Sequence, residues 1–375
     1  MSVERVSVFC LSNMDLNDFS SGPGSISVAL SEIESYSGWY FVGRSFCCDY
    51  SGYQSVRRMS SQRSRFYGYF VKILKFFELR RRFGPHRVIL LVYPSLAFSV
   101  VDFVLISFFF GRPLVRVIGY DSFYFMNLNN LNKAKMLWPE LKLRLNLLRH
   151  YLLEFIYLNI AEECYFVSDR CIEDVGGRFG WARDKIYRLP LKPFVNLNTQ
   201  DRVASVPRRR PRGCGRDGVL VLGRFLSPWM VSDFYEKVMV LSELSKNYDV
   251  IVLGAGARSV VENCDYLINV VPLEWIDDFD GFLFEKSWTV LYGPESASGI
   301  QTKLQKAVAL NNRVVVNYKI DVGPDFDQFV ERYSAPGQIL DIVRSKGKVR
   351  FKSSANLLSL SREERNIYQG LTRWR

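Results

Sequence analysis

The sequence is poor in the residues that build metal sites. Its 375 residues include only two histidines, His86 and His150, and no cysteine pair in a CxxC spacing. Zinc sites draw on histidines and paired cysteines, so a zinc site is not expected. The seven cysteines are odd in number and irregularly spaced, which argues against a disulfide framework. A reducing cytoplasm fits this composition best.

Long apolar segments are also scarce. The first residues, MSVERVSVFCLS, have an early acid and a short apolar run, unlike a signal peptide. One stretch, residues 88–110, is long enough to cross a bilayer. Pro94 breaks it near its start, and Asp102 lies in its second half. We interpret it as a buried strand, a turn and a packed helix, with a membrane span as the alternative.

Acidic residues are outnumbered, 38 against 50 Lys and Arg, which gives a formal net charge of +12. This excess favours an anionic partner: nucleic acid, acidic lipid or a phosphorylated substrate. Residues 57–87 combine ten Arg or Lys with many aromatics and a single acid, Glu78. Such a segment can lie on an anionic membrane, bind single-stranded nucleic acid, or fold as a helix with its aromatics in the core. Without a recognisable RNA-binding motif we expect no nucleic acid and prefer the membrane. The predicted membrane contacts are Arg63, Arg65, Lys72 and Lys75.

Strand-like and helix-like segments alternate along the chain, as is typical of parallel sheets with crossover helices. The predicted strands are RVSVFCLS, WYFVGRSF, RVILLVYP, PLVRVIGY, ECYFVSD and KIYRLP in the first half, and VLVLGRF, YDVIVLGAG, YLINVV, TVLYGPE and RVVVN in the second. Residues 196–217 interrupt this pattern with a linker rich in Pro, Gly and Arg. We therefore predict an N-terminal α/β domain over 1–195 and a C-terminal one over 218–353. A helix over 354–375 should pack back on the first domain. Ligands of open α/β sheets bind beyond the carboxyl ends of the strands, so the cleft between the domains is the expected site.

Residues suited to anion binding gather in the second half. "LGRF" places Gly223 and Arg224 after the domain's first strand, and "LGAGAR" ends the next strand with Gly254. Glycines there would let the backbone approach a ligand closely. "YGPESASG" follows a later strand and leads through Gly299 into a helix.

That helix, "SGIQTKLQKAVALNN", has apolar residues at helical spacing, Ser298 as a candidate N-cap, and Asn311 and Asn312 at its end. Lys303 and Lys306 lie in its first turns. Cations near a helix N-terminus cost stability unless an anion binds there. Arg224, the lysines and the helix N-terminus therefore predict a site for one anion, such as a diphosphate.

These motifs resemble the GT-B glycosyltransferases, in which two Rossmann-like domains face each other across a cleft. The resemblance is loose over the whole chain and tighter over 219–318. It implies a nucleotide-sugar donor, no other cofactor and no metal. It implies that Arg224 and Lys303 hold the donor phosphates and that main-chain groups near Leu273 contact the base. The motifs themselves add Gly223, Gly254, Gly299 and Lys306 to the predicted donor site, together with Glu295.

One departure and one closer match narrow the resemblance. Retaining family-4 members carry two glutamates eight positions apart, where this chain has Ser298 and Lys306. Glu295 could replace one of them. "TKLQKA" is similar to the motif of the inverting GumK-like xanthan glucuronosyltransferases, whose base is an Asp after an N-terminal-domain strand. Asp121, after "LVRVIGY", matches that position, with a capping or turn role as the alternative.

Other acidic residues are weaker candidates. Asp15 and Asp18, after the first strand, could bind the acceptor or serve as an alternative base. "DDFD", residues 277–280, looks like a metal motif but falls in a helical stretch, so we interpret it as helix surface.

The sequence thus predicts a metal-independent GT-B glycosyltransferase, inverting, with a UDP-linked donor. We expect a lipid-linked saccharide acceptor in bacterial surface polysaccharide assembly, and a peripheral location on the inner face of the cytoplasmic membrane. The main alternative is a catalytically degenerate GT-B protein that acts as a membrane-surface scaffold or binding partner. A nucleic-acid-binding protein is a third interpretation, which rests on charge alone.

Overall fold

The structure is a computed structural model of the chain. It describes residues 7–12, 39–42, 47–50, 87–92, 114–120, 137–193, 195, 218–226, 228–285, 287–295, 300–345 and 360–372, with single residues 108, 124, 128, 131 and 357.

The first sheet has seven strands in the order β3-β2-β1-β4-β5-β6-β7. Neighbouring strands are parallel, except β2 and β3, which are antiparallel. The strands are β1 Ser7–Ser12, β2 Trp39–Val42, β3 Cys47–Tyr50, β4 Arg87–Val92, β5 Leu114–Tyr120, β6 Glu163–Phe166 and β7 Ile186–Arg188.

Between residues 137 and 193 two helices are described. They are α1, Leu137–Ile160, and α2, Asp169–Arg178, and a 3₁₀ turn over Gly180–Lys185 leads into β7. The six strands that the sequence predicts for this half are present, and β3, with the short sequence CCDY, was not predicted.

The second sheet has six strands, all parallel, in the order β10-β9-β8-β11-β12-β13. Numbered from its own first strand, this is 3-2-1-4-5-6, the Rossmann order. The strands are β8 Gly218–Leu222, β9 Asp249–Leu253, β10 Val270–Leu273, β11 Trp288–Tyr292, β12 Arg313–Asn317 and β13 Val330–Tyr333. The sequence predicts five of these strands and misses β13.

Helices cover both faces of the second sheet. They are α3 Pro228–Tyr235, α4 Val238–Leu244, α5 Ala257–Glu262, α6 Phe279–Glu285, α7 Thr302–Ala309, α8 Pro324–Asp327 and α9 Gln338–Arg344. Because successive strand residues point to opposite faces, Val219 and Val221 join one apolar core with α3, α4, α5 and α9. Leu220 and Leu222 join the other with α6, α7 and α8. This arrangement is doubly wound.

The last helix, α10, spans Arg362–Thr372. Its Tyr368 hydroxyl donates to the Pro190 carbonyl at 2.6 Å. Buried Arg116 on β5 donates to the Leu371 carbonyl at 2.9 Å and to Glu163 on β6 at 2.6 Å. The buried Arg116 guanidinium therefore connects α10 to β5 of the first sheet.

The chain divides into two compact units. The first contains Met1–Phe125, Leu145–Leu191 and Leu360–Arg375, and the second contains Met126–Arg144 and Lys192–Ser359. The second unit thus includes residues 126–144, which the sequence assigns to the N-terminal domain.

Within the apolar run 88–110, the structure describes β4 and Phe108; residues 93–107 lie outside the described part. None of the helices that are described is long and apolar enough to cross a bilayer.

Candidate functional site

The second sheet reverses its strand order between β8 and β11, and ligands of such sheets bind beyond the carboxyl ends at this point. Backbone hydrogen bonds draw three loops together there. The Gly223 N–H donates to Leu253 O at 3.1 Å, and the Phe225 N–H donates to Ala255 O at 2.7 Å. The Gly293 N–H donates to Leu222 O at 2.7 Å. The loops after β8, β9 and β11 thus form one continuous edge.

The glycines of these loops serve contacts between the loops. Gly254 has a φ of 139°, and a Cβ there would lie 1.8 Å from the Gly223 oxygen. Gly256 has a φ of 85°, and its Cβ would lie 2.4 Å from the Phe225 oxygen. At Gly223 an added Cβ would lie 2.3 Å from the Phe225 ring of its own loop. Contacts within this edge therefore already require glycine at Gly223 and Gly254, and their close approach to a ligand stays a prediction.

Arg224 lies in the first of these loops and is exposed. The next residue, Phe225, is 3% exposed and meets Phe234 edge-on with ring centroids 5.1 Å apart. The buried Phe225 ring fixes the loop, so Arg224 is held at the carboxyl end of β8 with its side chain in solvent.

Lys303 is the exposed side chain of an otherwise buried helix. Of the eight residues of α7, Thr302 and all those from Leu304 to Ala309 are buried. The Lys303 ammonium lies 5.8 Å from the Phe279 ring centroid. Since the helix begins beyond the β11 loop, Lys303 places a cation at the helix end where N–H groups lack intrahelical partners.

The helix begins later than the sequence predicts. Gln301, and not Ser298, is the N-cap, and the first turn closes with the Leu304 and Gln305 N–H groups donating to the Gln301 carbonyl. The predicted end is confirmed: Asn311 has a φ of 59°, the left-handed conformation that asparagine tolerates after a helix. Ser298 and Gly299 lie outside the described residues.

Lys306 has a different role from the predicted one. Its ammonium donates to both Asp280 carboxylate oxygens, at 3.0 and 3.1 Å, and the residue is 4% exposed. The prediction that Lys306 helps to hold a diphosphate is corrected, because this cation belongs to a core ion pair. The surface interpretation of "DDFD" is likewise wrong for Asp280, although Asp277 and Asp278 are exposed.

Glu295, at the end of the β11 loop, is held by a buried lysine. The Lys237 ammonium donates to Glu295 Oε1 at 3.1 Å and to the Asp233 carbonyl at 2.7 Å. The Glu295 N–H donates to the Asp233 carboxylate at 3.1 Å. Burial lowers the pKa of Lys237, and the Glu295 carboxylate opposes that shift. Sequence reasoning missed Lys237 and Asp233, which lie about sixty positions before Glu295.

Leu273 ends β10, and its carbonyl accepts the Gly254 N–H at 2.9 Å. The following residue, Glu274, accepts the N–H groups of Gly256 at 2.7 Å and Arg258 at 2.9 Å. These contacts fix the β10 loop beside the β9 loop.

The other predicted site residues lie outside the described part of the chain. They are Asp15, Asp18, Arg63, Arg65, Lys72, Lys75 and Asp121. Asp121 directly follows Tyr120, the last residue of β5. Among the described residues there is no cluster of three or more His, Cys, Asp or Glu that could hold a metal ion.

No protein-family model matches the sequence. No curated protein matches it either. Solved structures do match over nearly the whole chain. WaaB, a lipopolysaccharide outer core galactosyltransferase in its apo form, has a TM-score of 0.52 and 12% identity, covering 98% of this chain and 94% of that one.

Two further structures carry nucleotides. HepE from Anabaena, in complex with UDP-glucose, has a TM-score of 0.54 and 10% identity, with 98% of this chain and 96% of that chain covered. The catalytic domain of starch synthase IV from Arabidopsis thaliana, bound to ADP and acarbose, has a TM-score of 0.59 and 8% identity, with 98% of each chain covered. At these identities the likeness establishes the fold. The predicted GT-B fold, with two Rossmann-like domains, is confirmed.

Proposed function

We propose that this protein is a glycosyltransferase that transfers a sugar from a nucleotide-diphosphate donor, UDP-linked, to a saccharide acceptor. The observation that carries the proposal is the position of two exposed cations, Arg224 and Lys303, at the switch-point edge of the C-terminal Rossmann sheet. HepE and starch synthase IV, which share the fold, hold UDP-glucose and ADP in their structures.

Arg224 and Lys303 would bind the donor diphosphate. As the bond between sugar and diphosphate breaks, negative charge grows on the leaving group, and fixed cations stabilise that charge. The guanidinium suits bidentate contact with phosphate oxygens, and Lys303 adds its charge to that of the α7 N-terminus. With these groups in place we propose transfer without a metal.

Glu295 and the β10 loop would position the rest of the donor. Lys237 holds Glu295 through Oε1, and Oε2 would accept a hydroxyl of the sugar. Main-chain groups near Leu273 would contact the base, and Gly299 would lie beside the phosphates before α7.

Asp121 is the proposed general base. Its carboxylate would take the proton of the acceptor hydroxyl while that oxygen attacks the anomeric carbon, and the bond to the diphosphate breaks with inversion. Its place after β5 supports this role. Asp15 and Asp18, a few residues after β1, are proposed to bind the acceptor or to replace the base.

We further propose a lipid-linked acceptor at the inner face of the cytoplasmic membrane, in the assembly of a bacterial surface polysaccharide, with a GumK-like inverting reaction. The basic, aromatic segment 57–87, including Arg63, Arg65, Lys72 and Lys75, supports an anionic membrane as partner. WaaB, which shares the fold, acts on the lipopolysaccharide outer core.

The second candidate is a GT-B protein that binds a ligand without transferring sugar. The core pair of Lys306 and Asp280 favours it, because retaining relatives carry a ribose-binding glutamate at the position of Lys306. Donor binding without turnover would distinguish this candidate from the enzyme.

The first experiment measures thermal unfolding with UDP, GDP, ADP, CMP and UDP-sugars. A ligand at a hundred times its Kd adds about 2.7 kcal/mol of stability. Losing one charge-assisted hydrogen bond costs about 1.5–3 kcal/mol, so Lys303→Ala and Arg224→Ala should each weaken donor binding roughly 10–150-fold. Lys246→Ala, an exposed lysine before β9 at the opposite end of the strands, is the matched control and should bind normally.

A transfer assay then tests the chemistry. Asp121→Asn should bind the donor with unchanged affinity and fail to transfer sugar. If no nucleotide stabilises the folded wild-type protein, donor binding is wrong. If the wild-type protein binds the donor but never turns over with lipid-linked acceptors, the binding protein is the correct candidate.

A further inference from the structure

Helix α1 exposes a line of large apolar side chains. Leu145, Leu148, Leu152 and Phe155 are 60%, 56%, 44% and 45% exposed. They recur every three or four residues, so they lie along one side of the helix. The helix already has a packed side, where its buried residues are Leu147, Leu153, Glu154, Tyr157 and Leu158. The opposite side of such a helix is ordinarily polar.

The line continues onto the 3₁₀ turn before β7. Trp181 is 52% exposed, and its ring centroid lies 6.1 Å from that of Phe155. We call these five residues, Leu145, Leu148, Leu152, Phe155 and Trp181, the α1 stripe. A contiguous apolar surface of this kind marks an interaction site more often than an isolated exposed leucine does.

Basic residues border the α1 stripe. Successive helix residues are about 100° apart, which places Lys142 and Arg149 along one margin and Arg144 along the other. All three are exposed. Between residues 141 and 160 the sole carboxylate, Glu154, is buried and accepts a hydrogen bond from Arg178. The exposed side of α1 is therefore apolar at its centre, positive at its edges and free of acids from residue 141 onwards.

We propose that the α1 stripe is a docking surface for an anionic membrane. Leucine and phenylalanine side chains would enter the boundary between headgroups and acyl chains, and the basic margins would bind lipid phosphates. Trp181, at the end of the stripe, is the residue type that prefers the headgroup level. A second copy of the chain is a poorer partner, because pairing two stripes would bring the arginines and lysines of both copies together.

The test is sedimentation of the full-length protein with phosphatidylcholine vesicles that contain or lack phosphatidylglycerol. The double variant Leu148→Gln/Leu152→Gln should reduce the bound fraction on anionic vesicles roughly tenfold or more, since two apolar anchors are lost. Its matched control is Met239→Gln/Ile268→Gln, which removes side chains that are 66% and 87% exposed in the second unit. This control should bind vesicles like the wild type.

Two further variants separate charge from apolar insertion. Lys142→Gln/Arg149→Gln should weaken binding to phosphatidylglycerol vesicles and make it less dependent on salt, with little change on neutral ones. Trp181→Phe should remove a blue-shifted component from the tryptophan emission of the vesicle-bound protein. These two variants also test the docking surface if the leucine variant fails to fold.

Unchanged vesicle binding by the leucine variant, or by the charge variant, would overturn the proposal even if residues 57–87 bind lipid on their own. A leucine variant that changes oligomeric state in size-exclusion chromatography and still binds vesicles would make the stripe an interface between copies. The proposal stands apart from sugar transfer, because nucleotide-induced stabilisation is measured without vesicles.

Discussion

Removing one partner of the Lys306–Asp280 ion pair should destabilise the C-terminal domain strongly. Lys306→Met keeps most of the apolar stem but leaves a carboxylate that is 7% exposed without the ammonium that bonds both its oxygens. Leaving one charge of such a buried pair costs about 3–5 kcal/mol. For a domain of 150–250 residues, 1 kcal/mol shifts Tm by roughly 2–4 °C, so we expect a loss of roughly 6–20 °C.

The double variant Lys306→Met/Asp280→Leu should recover most of that loss, because apolar residues often replace a buried ion pair at little cost. Calorimetry of the wild type, both single variants and the double variant gives the coupling energy of the pair. UDP binding, measured below each unfolding transition, should be unchanged in Lys306→Met. A variant that keeps its wild-type Tm but loses nucleotide binding would refute the structural role and restore Lys306 as a phosphate ligand.

Three further predictions concern other buried groups. Gly254→Ala should destabilise the domain in urea, because φ is 139° and the added Cβ lies 1.8 Å from a backbone oxygen, whereas Gly337→Ala, with nothing within 4 Å, should not. Lys237→Met should lower Tm by several degrees by removing the ammonium from Glu295; an unchanged Tm would contradict the buried ion pair. Burial raises the pKa of the Cys164 thiol from 9.0 to about 12, so its contribution to stability is fully present below pH 9 and is lost as pH rises towards 12. In Cys164→Ala, Tm should therefore fall less steeply between about pH 8 and about pH 11 than in the wild type. An equally steep fall of Tm in both proteins would contradict the raised pKa of Cys164.

The strands that the sequence predicts are those with apolar runs. Every residue of β8 is buried, and its run of Val and Leu predicts a central strand of a parallel sheet. β13 has the sequence VERY and was missed, because its charges resemble a loop. Glu331 in that edge strand is bound by Arg313 of β12 through two hydrogen bonds, at 2.7 and 2.9 Å. A cross-strand ion pair of this kind leaves no periodic signal in one segment.

The candidate site likewise contains residues that local sequence features place and one that they do not. Arg224 and Lys303 could be placed from strand ends and helix starts, which are local features. Lys306 could not, because its partner Asp280 lies 26 residues earlier and meets it only once α6 and α7 have packed together. The apolar spacing of α7 predicts one packed side, whereas the helix is buried on nearly every side, with Lys303 as its exposed residue.

Helix α1 illustrates a further limit of sequence pattern. In LKLRLNLLRHYLLEF, leucines occupy both sides of the helix, so periodicity indicates an apolar helix without selecting the side that packs. The fold selects Leu147, Leu153 and Leu158 for burial, which leaves the α1 stripe exposed. Solubility alone would favour polar residues at those positions, at little cost to the packed side. The exposed leucines therefore support the proposed docking surface, and the basic residues on both margins support an anionic membrane as its partner.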